Sequence, residues 1–190
     1  RRDRGIRAVA PYGAISPARS GPMSVAPDTI AAARIRAFRT PRSAMKLRVK
    51  WVEGVTFLGE TESNHAIVMD GAPEGGGRNL GPRPMETLLA GAGGCTAYDV
   101  VTILKKSRQD IVDVAVEMDA DRAATDPKVF TRIHLHFVVK GRKLRPEAVE
   151  RAIELSATKY CSASIMLGKT AEITHDFEIV EIDAAATAGT

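Results

Sequence analysis

From Met45 onward, apolar and polar residues alternate with a period of two: Leu47, Val49 and Trp51 fall on one side, Lys46, Arg48 and Lys50 on the other. Side chains of an extended chain point alternately to opposite faces, so the pattern predicts a half-buried strand. Glu53-Gly54 reads as a tight turn into a second strand at Val55 to Leu58. A third covers His65 to Asp70, giving an N-terminal meander. Residues 71–83, GAPEGGGRNLGPR, hold five Gly and two Pro and predict a loop. No Lys-Ser/Thr pair follows to complete a phosphate cradle, so that function is rejected.

The period then changes to that of a helix. Pro84 suits a first helical position because its φ is locked and its missing N–H would have no partner there. Glu86 sits in the first turn, where the helix dipole favours negative charge. The apolar positions Met85, Leu88, Leu89, Ala92, Cys95, Val100, Ile103 and Leu104 carry the helix to about Gln109. Gly91, Gly93 and Gly94 interrupt it, each at a cost of roughly 1 kcal/mol relative to Ala. Close approach by another element offsets such a cost, and a small-faced central helix suits packing on a second copy of itself.

Two longer strands follow. In the first, Val112, Val114, Val116 and Met118 alternate with Asp113, Glu117 and Asp119. In the second, Thr131, Ile133, Leu135, Phe137 and Val139 alternate with Arg132, His134 and His136. Pro146 opens a second helix, with Val149, Ile153, Ala157 and Tyr160 as its apolar stripe. Cys161 joins it to a short helical segment ending near Lys169. A last strand then places Ile173, His175, Phe177 and Ile179 on one face. The order βββ, α, ββ, α, α, β segregates strands from helices and predicts an α+β fold with largely antiparallel pairing.

Charge divides the chain. The whole carries 27 Lys+Arg against 23 Asp+Glu, a net +4. Residues 1–44 contribute nine Arg, no Lys and two Asp, which is +7; the remaining 18 basic and 21 acidic residues make the body −3. Phosphate-tracking basic patches belong on a folded domain, so nucleic acid is not expected as a partner. No run of 18 apolar residues predicts a membrane span, and residues 1–44 lack the apolar stretch of a secretory signal. Their Arg-rich, Ser-containing composition also fits an organelle transit peptide. The preferred reading is a disordered extension over 1–44, one domain over 45–182 and a disordered tail over 183–190. Two Cys are too few for a disulfide-stapled scaffold and suit a reducing, cytoplasmic setting.

Candidate chemistry narrows to the cysteines. His134 and His136 share the polar face of a strand, with no nearby carboxylate or Cys at metal-ligand spacing, so neither a metal nor a cofactor is expected. His175, on an apolar face, reads as a core residue. Cys95 lies mid-helix beside three glycines; Cys161 sits where the start of a following helix would favour thiolate. Free Cys is among the most buried residue types, so a structural role stays open for both. No C-x-x-C motif links them.

The stretch LGPRPMETLLAGAGGCTAYDVV (80–101), with its nine-residue step from Glu86 to Cys95, and KYCSASIMLGKTAEITHDFEI (159–179) resemble the OsmC/Ohr family of osmotically inducible and organic-hydroperoxide-resistance proteins. WVEGVTFLGE (51–60) is similar to the opening of its YhfA-like branch. The resemblance spans residues 45–182. It implies an OsmC-like intertwined homodimer, with antiparallel sheets flanking long central helices. It implies Cys95 as the peroxide-attacking cysteine, Cys161 as the resolving one, and Glu86 as the residue that orients an activating Arg. A small organic hydroperoxide would be the substrate and an external dithiol the reductant. Two departures stand out: no Arg or Lys lies between Trp51 and His65, which leaves Arg48, Arg78 or Arg83 as the cation, and Ser162 rather than Pro follows Cys161. The alternative is a catalytically silent dimer of the same fold that binds a small ligand or senses redox state.

Overall fold

The computed structural model describes residues 45–182; residues 1–44 and 183–190, where disordered extensions are expected, lie outside the described residues. Three strands, β1 (Leu47–Glu53), β2 (Thr56–Thr61) and β3 (Ala66–Met69), form an antiparallel sheet in the order β1-β2-β3. Gly54, with φ +51°, makes the first turn in the left-handed region that favours glycine. The loop over 71–83 is pinned by Asp70, which is 1% exposed. Its Oδ1 accepts from Thr56 Oγ1 at 3.1 Å and Gly71 N at 2.8 Å, while its Oδ2 accepts from Arg78 N at 2.9 Å and Leu80 N at 3.1 Å. The Leu80 N–H contributes most to holding this carboxyl at about 2; the Arg78, Gly71 and Thr56 donors act in the same direction, against the effect of burial.

The loop delivers the chain to α1 (Pro84–Lys106), which ends close to where its pattern places it. The strands β4 (Asp110–Arg122) and β5 (Phe130–Arg142) follow, then α2 (Pro146–Leu155), a π-helical turn over Ser156–Tyr160, α3 (Ser162–Leu167) and β6 (Glu172–Glu181). The second sheet has the order β4-β5-β6. Its β4–β5 pair is antiparallel, but β6 joins β5 in parallel, because the chain crosses over through α2 and α3 before re-entering the sheet.

The core lies between this sheet and the helices. Ile133, Leu135, Phe137 and Val139 line the inner face of β5 and meet Val100 and Leu104 of α1 and Val149, Ala152 and Ile153 of α2. α1 is long and apolar enough to cross a membrane, the one such helix among the described residues. Here one side of it packs against β4, α2 and α3, while Leu88 and Tyr98 stay exposed.

Four expectations are corrected. β1 is exposed along its whole length, Trp51 to 63%, because nothing in the described residues covers its apolar side. Val112 is exposed at a bulge between Ile111 and Asp113, which gives the inward positions to Ile111 and Val114. Tyr160 is exposed, since α2 stops at Leu155 and the wider turn that follows rotates it off the apolar stripe. His175 shares a side of β6 with Ile173 and Phe177, yet it too is exposed rather than core, as β6 is an edge strand.

Candidate functional site

α1 places the first part of the site. At its start the Arg83 N–H donates to Glu86 Oε2 at 2.9 Å, and the Arg83 guanidinium donates to Glu86 Oε1 at 2.7 Å. The backbone donor is the largest influence that draws Glu86 below the ordinary carboxylate range, with the hydrogen bond and the charge of the guanidinium acting the same way against some burial. Further along, Cys95 and Asp99 stand four residues apart and therefore on one face of the helix.

The second part comes from the junction of α2 and α3. The π turn lets the chain swing so that Cys161 N donates to Ser156 O at 2.9 Å, and Cys161 becomes the residue that caps α3. Its Sγ accepts from Ser164 N at 3.4 Å and from Ser164 Oγ at 3.2 Å. The two sulfurs, 66 positions apart in sequence, meet: Cys95 Sγ, Cys161 Sγ and a carboxylate oxygen of Asp99 all lie within 4.8 Å of one another. Both cysteines are free thiols, with Cys161 buried and Cys95 partly buried.

Behind the sulfurs lies a short polar chain. Ser156 Oγ donates to Asp99 Oδ2 at 3.2 Å, which leaves the buried Thr96 hydroxyl to donate to Ser156 Oγ at 2.9 Å. Burial pushes the Cys95 thiol up; the Ala163 N–H pulls the other way, and the neighbouring Cys161 sulfur and Asp99 carboxylate push it up further. The charge beside Cys95 is therefore negative. Each arginine considered as the activating cation faces a carboxylate of its own: Arg48 faces Glu60 at 3.5 Å, Arg78 faces Glu53, and Arg83 faces Glu86.

Sequence reasoning thus names both sulfurs but misses Asp99, Ser156 and Thr96. The four-residue step from Cys95 to Asp99 is legible as a helical face. Ser156, seven residues after Val149 and three after Ile153, continues the buried face of α2, so its direction too is legible as helical spacing.

His134 and His136 do acquire a carboxylate, from a strand forty positions away. His136 Nδ1 bonds Asp176 Oδ1 at 2.5 Å, His134 Nε2 stands 3.5 Å from the same oxygen, and His134 Nδ1 bonds Thr174 Oγ1 at 2.8 Å. The cross-strand register of β5 with β6 supplies the partner that linear spacing hides.

The family model for OsmC-like protein matches residues 75–176. Protein YhfA of Escherichia coli strain K12 is 53% identical over 136 residues, covering 72% of this chain and 98% of that protein. A crystal structure of a hypothetical protein from Aquifex aeolicus VF5 superposes with TM-score 0.65 at 28% identity, over 74% of this chain and 98% of that one. An organic hydroperoxide resistance protein from Legionella pneumophila shares the fold at 16% identity and TM-score 0.58, over 73% of this chain and 99% of its own. With half the chain matched by the family model, a close relative matched over almost its whole length, and the sheets and long helix arranged as in these structures, the chain belongs to the OsmC-like protein family.

Proposed function

We propose that the protein is a thiol-dependent peroxidase that reduces small organic hydroperoxides through Cys95 and Cys161 in oxidative-stress defence. The observation that carries the reading is the adjacency of the two sulfurs, which lie within 4.8 Å of one another. The Cys95 thiolate attacks the peroxide O–O bond, the alcohol leaves, and the sulfur becomes a sulfenic acid. The Cys161 thiol then condenses with it, water leaves, and a disulfide forms. An external dithiol in the cytoplasm returns both thiols. The Ser164 donors on Cys161 stabilise negative charge on that sulfur as it attacks.

Glu86 enters as the holder of Arg83. Nine residues of helix separate it from Cys95, about 13 Å along the axis, so that guanidinium reaches a thiol only across a subunit interface. The working unit in this proposal is a homodimer. The uncovered apolar side of β1 and the exposed Leu88 and Tyr98 of α1 support it, because that much exposed apolar surface calls for a partner.

The silent, ligand-binding or redox-sensing alternative is favoured by one observation, the carboxylate rather than guanidinium next to Cys95. Stopped-flow oxidation of the reduced protein with cumene hydroperoxide and with hydrogen peroxide decides between them. The proposal expects rapid loss of two thiols, faster with the organic peroxide, and an intrachain Cys95–Cys161 disulfide by intact mass. Peroxide consumption that survives in Cys95→Ser, or oxidation no faster than that of a free thiol, overturns it.

A further inference from the structure

The same three side chains that surround the thiol chemistry have the composition and spacing of a metal site. We propose that the reduced protein binds one Zn²⁺ per chain through Cys95 Sγ, Cys161 Sγ and an oxygen of Asp99, with the fourth position open to water. Zn²⁺ takes thiolate at about 2.3 Å and carboxylate at about 2.0–2.2 Å in tetrahedral geometry, which sets the two sulfurs about 3.8 Å apart. The three donor atoms already lie within 4.8 Å of one another, so shifts of about 1 Å close the set. Among the described residues no other group of Cys, His, Asp and Glu side chains meets this spacing.

The surroundings fit ligands held in place. Cys95 and Asp99 sit one turn apart on the 23-residue α1, a spacing by which a helix presents two ligands to one ion. Cys161 is fixed by the backbone bond to Ser156 and its sulfur by two donors from Ser164, which remain compatible with a metal-bound thiolate. Ser156 orients the Asp99 carboxylate and is itself oriented by Thr96, the outer layer of bonds that metal ligands depend on. Among the described residues no cation competes for the site, and the part-buried Cys95 and Asp99 leave an approach from solvent. Binding releases the two thiol protons, giving a Zn²⁺ held by two thiolates and one carboxylate. Such a complex occupies the electron pairs that would attack a peroxide or form a disulfide, so metal and oxidation exclude each other.

The site does not depend on the peroxidase reading. The test uses reduced full-length protein under anaerobic conditions with Co²⁺, followed by Zn²⁺. One Co²⁺ per chain is expected, with thiolate-to-metal charge-transfer absorption and tetrahedral ligand-field bands, displaced stoichiometrically by Zn²⁺. Cys95→Ser and Cys161→Ser abolish the charge-transfer band. Ser156→Ala, which touches no metal ligand atom except through the Asp99 hydrogen bond, weakens binding by about 10- to 100-fold. Should a cysteine variant fail to fold by circular dichroism, wild-type protein alkylated at both thiols takes its place and must show no band. A reduced wild-type protein without a charge-transfer band, or a band that persists in Cys161→Ser, overturns the site. A chain that binds Zn²⁺ but ignores peroxide sinks the peroxidase reading alone.

Discussion

Asp99 stands one helical turn beyond Cys95 with a carboxylate oxygen within 4.8 Å of its sulfur, so the nearest charge to the candidate nucleophile is negative. A thiol so placed is pushed up by its burial first and then by the sulfur and carboxylate beside it, and holds its proton further into the alkaline range than a free cysteine does. Asp99→Asn removes the carboxylate charge without changing side-chain size. More of the thiol is then ionised at neutral pH, and iodoacetamide labelling of Cys95 is expected to speed up by about 3- to 10-fold, the rate–pH profile moving to lower pH. The same substitution weakens Zn²⁺ binding, so one variant moves two readouts in opposite directions. An unchanged labelling profile sinks the electrostatic role given to Asp99.

Asp70 ties β2 and β3 to the loop that leads into α1. Its folded carboxyl titrates at about 2, below the ordinary 3.8. Its contribution to stability is therefore fully present above the ordinary value and is lost as pH falls from there toward 2. Asp70→Asn keeps the shape but turns one acceptor oxygen into a donor facing backbone N–H groups. Thermal melts should show a Tm several degrees lower at neutral pH and a flattened acid limb between about pH 4 and 2. Parallel acid limbs in variant and wild type would contradict this.

Much of the fold was legible in the hydrophobic pattern, because β5, one side of α1 and, in part, β4 bury apolar positions within the chain and the period has a local cause. It misled where burial is not local. β1 alternates cleanly, yet both of its sides are exposed here, since periodicity marks a face fit for burial and not the identity of its cover. Val112 broke the pattern through a bulge, and the parallel entry of β6 depends on a crossover that no strand's own residues encode. In the site, the sulfurs stood out by residue type, whereas Ser156 met Asp99 only through the packing of α2 on α1; elsewhere, Asp176 met His136 only through the cross-strand register.

On the outer face of the second sheet, His136 and Asp176 are cross-strand neighbours whose titrations move apart. The hydrogen bond to Asp176 chiefly raises His136, helped by the charges of Asp176, Glu178 and Glu117 against some burial. The same bond chiefly lowers Asp176, with His134 adding to it. The pair's contribution from His136 is present below the ordinary 6.5 and disappears as pH rises through its raised value; that from Asp176 disappears as pH falls through its lowered one. Asp176→Asn should bring the His136 ring protons back to an ordinary titration midpoint by NMR, with Tm near neutral pH changing little because both groups are solvated. A His136 midpoint that stays raised would assign the effect to Glu117 and Glu178 instead.

The glycines of α1 offer a direct test of the homodimer. An added Cβ at Gly93 meets Met118 Sδ at 2.8 Å, so that glycine answers to a contact within the chain. At Gly91 and Gly94 an added Cβ meets nothing within 4 Å, and both lie on the exposed stripe that also carries Tyr98. If a single chain were the whole molecule, replacing either glycine with Ala would simply improve the helix, stabilising it by about 1 kcal/mol. With a second subunit lying against that stripe, the missing side chains are what allow close approach, and bulk there is costly whatever its helix propensity. Gly94→Leu is accordingly expected to convert dimer to monomer in light scattering after size exclusion, and to lower Tm in a concentration-dependent way. Gly94→Leu that leaves both the mass and the Tm of a monomer unaltered would remove the dimer from the proposal, and with it the route by which Arg83 reaches Cys95.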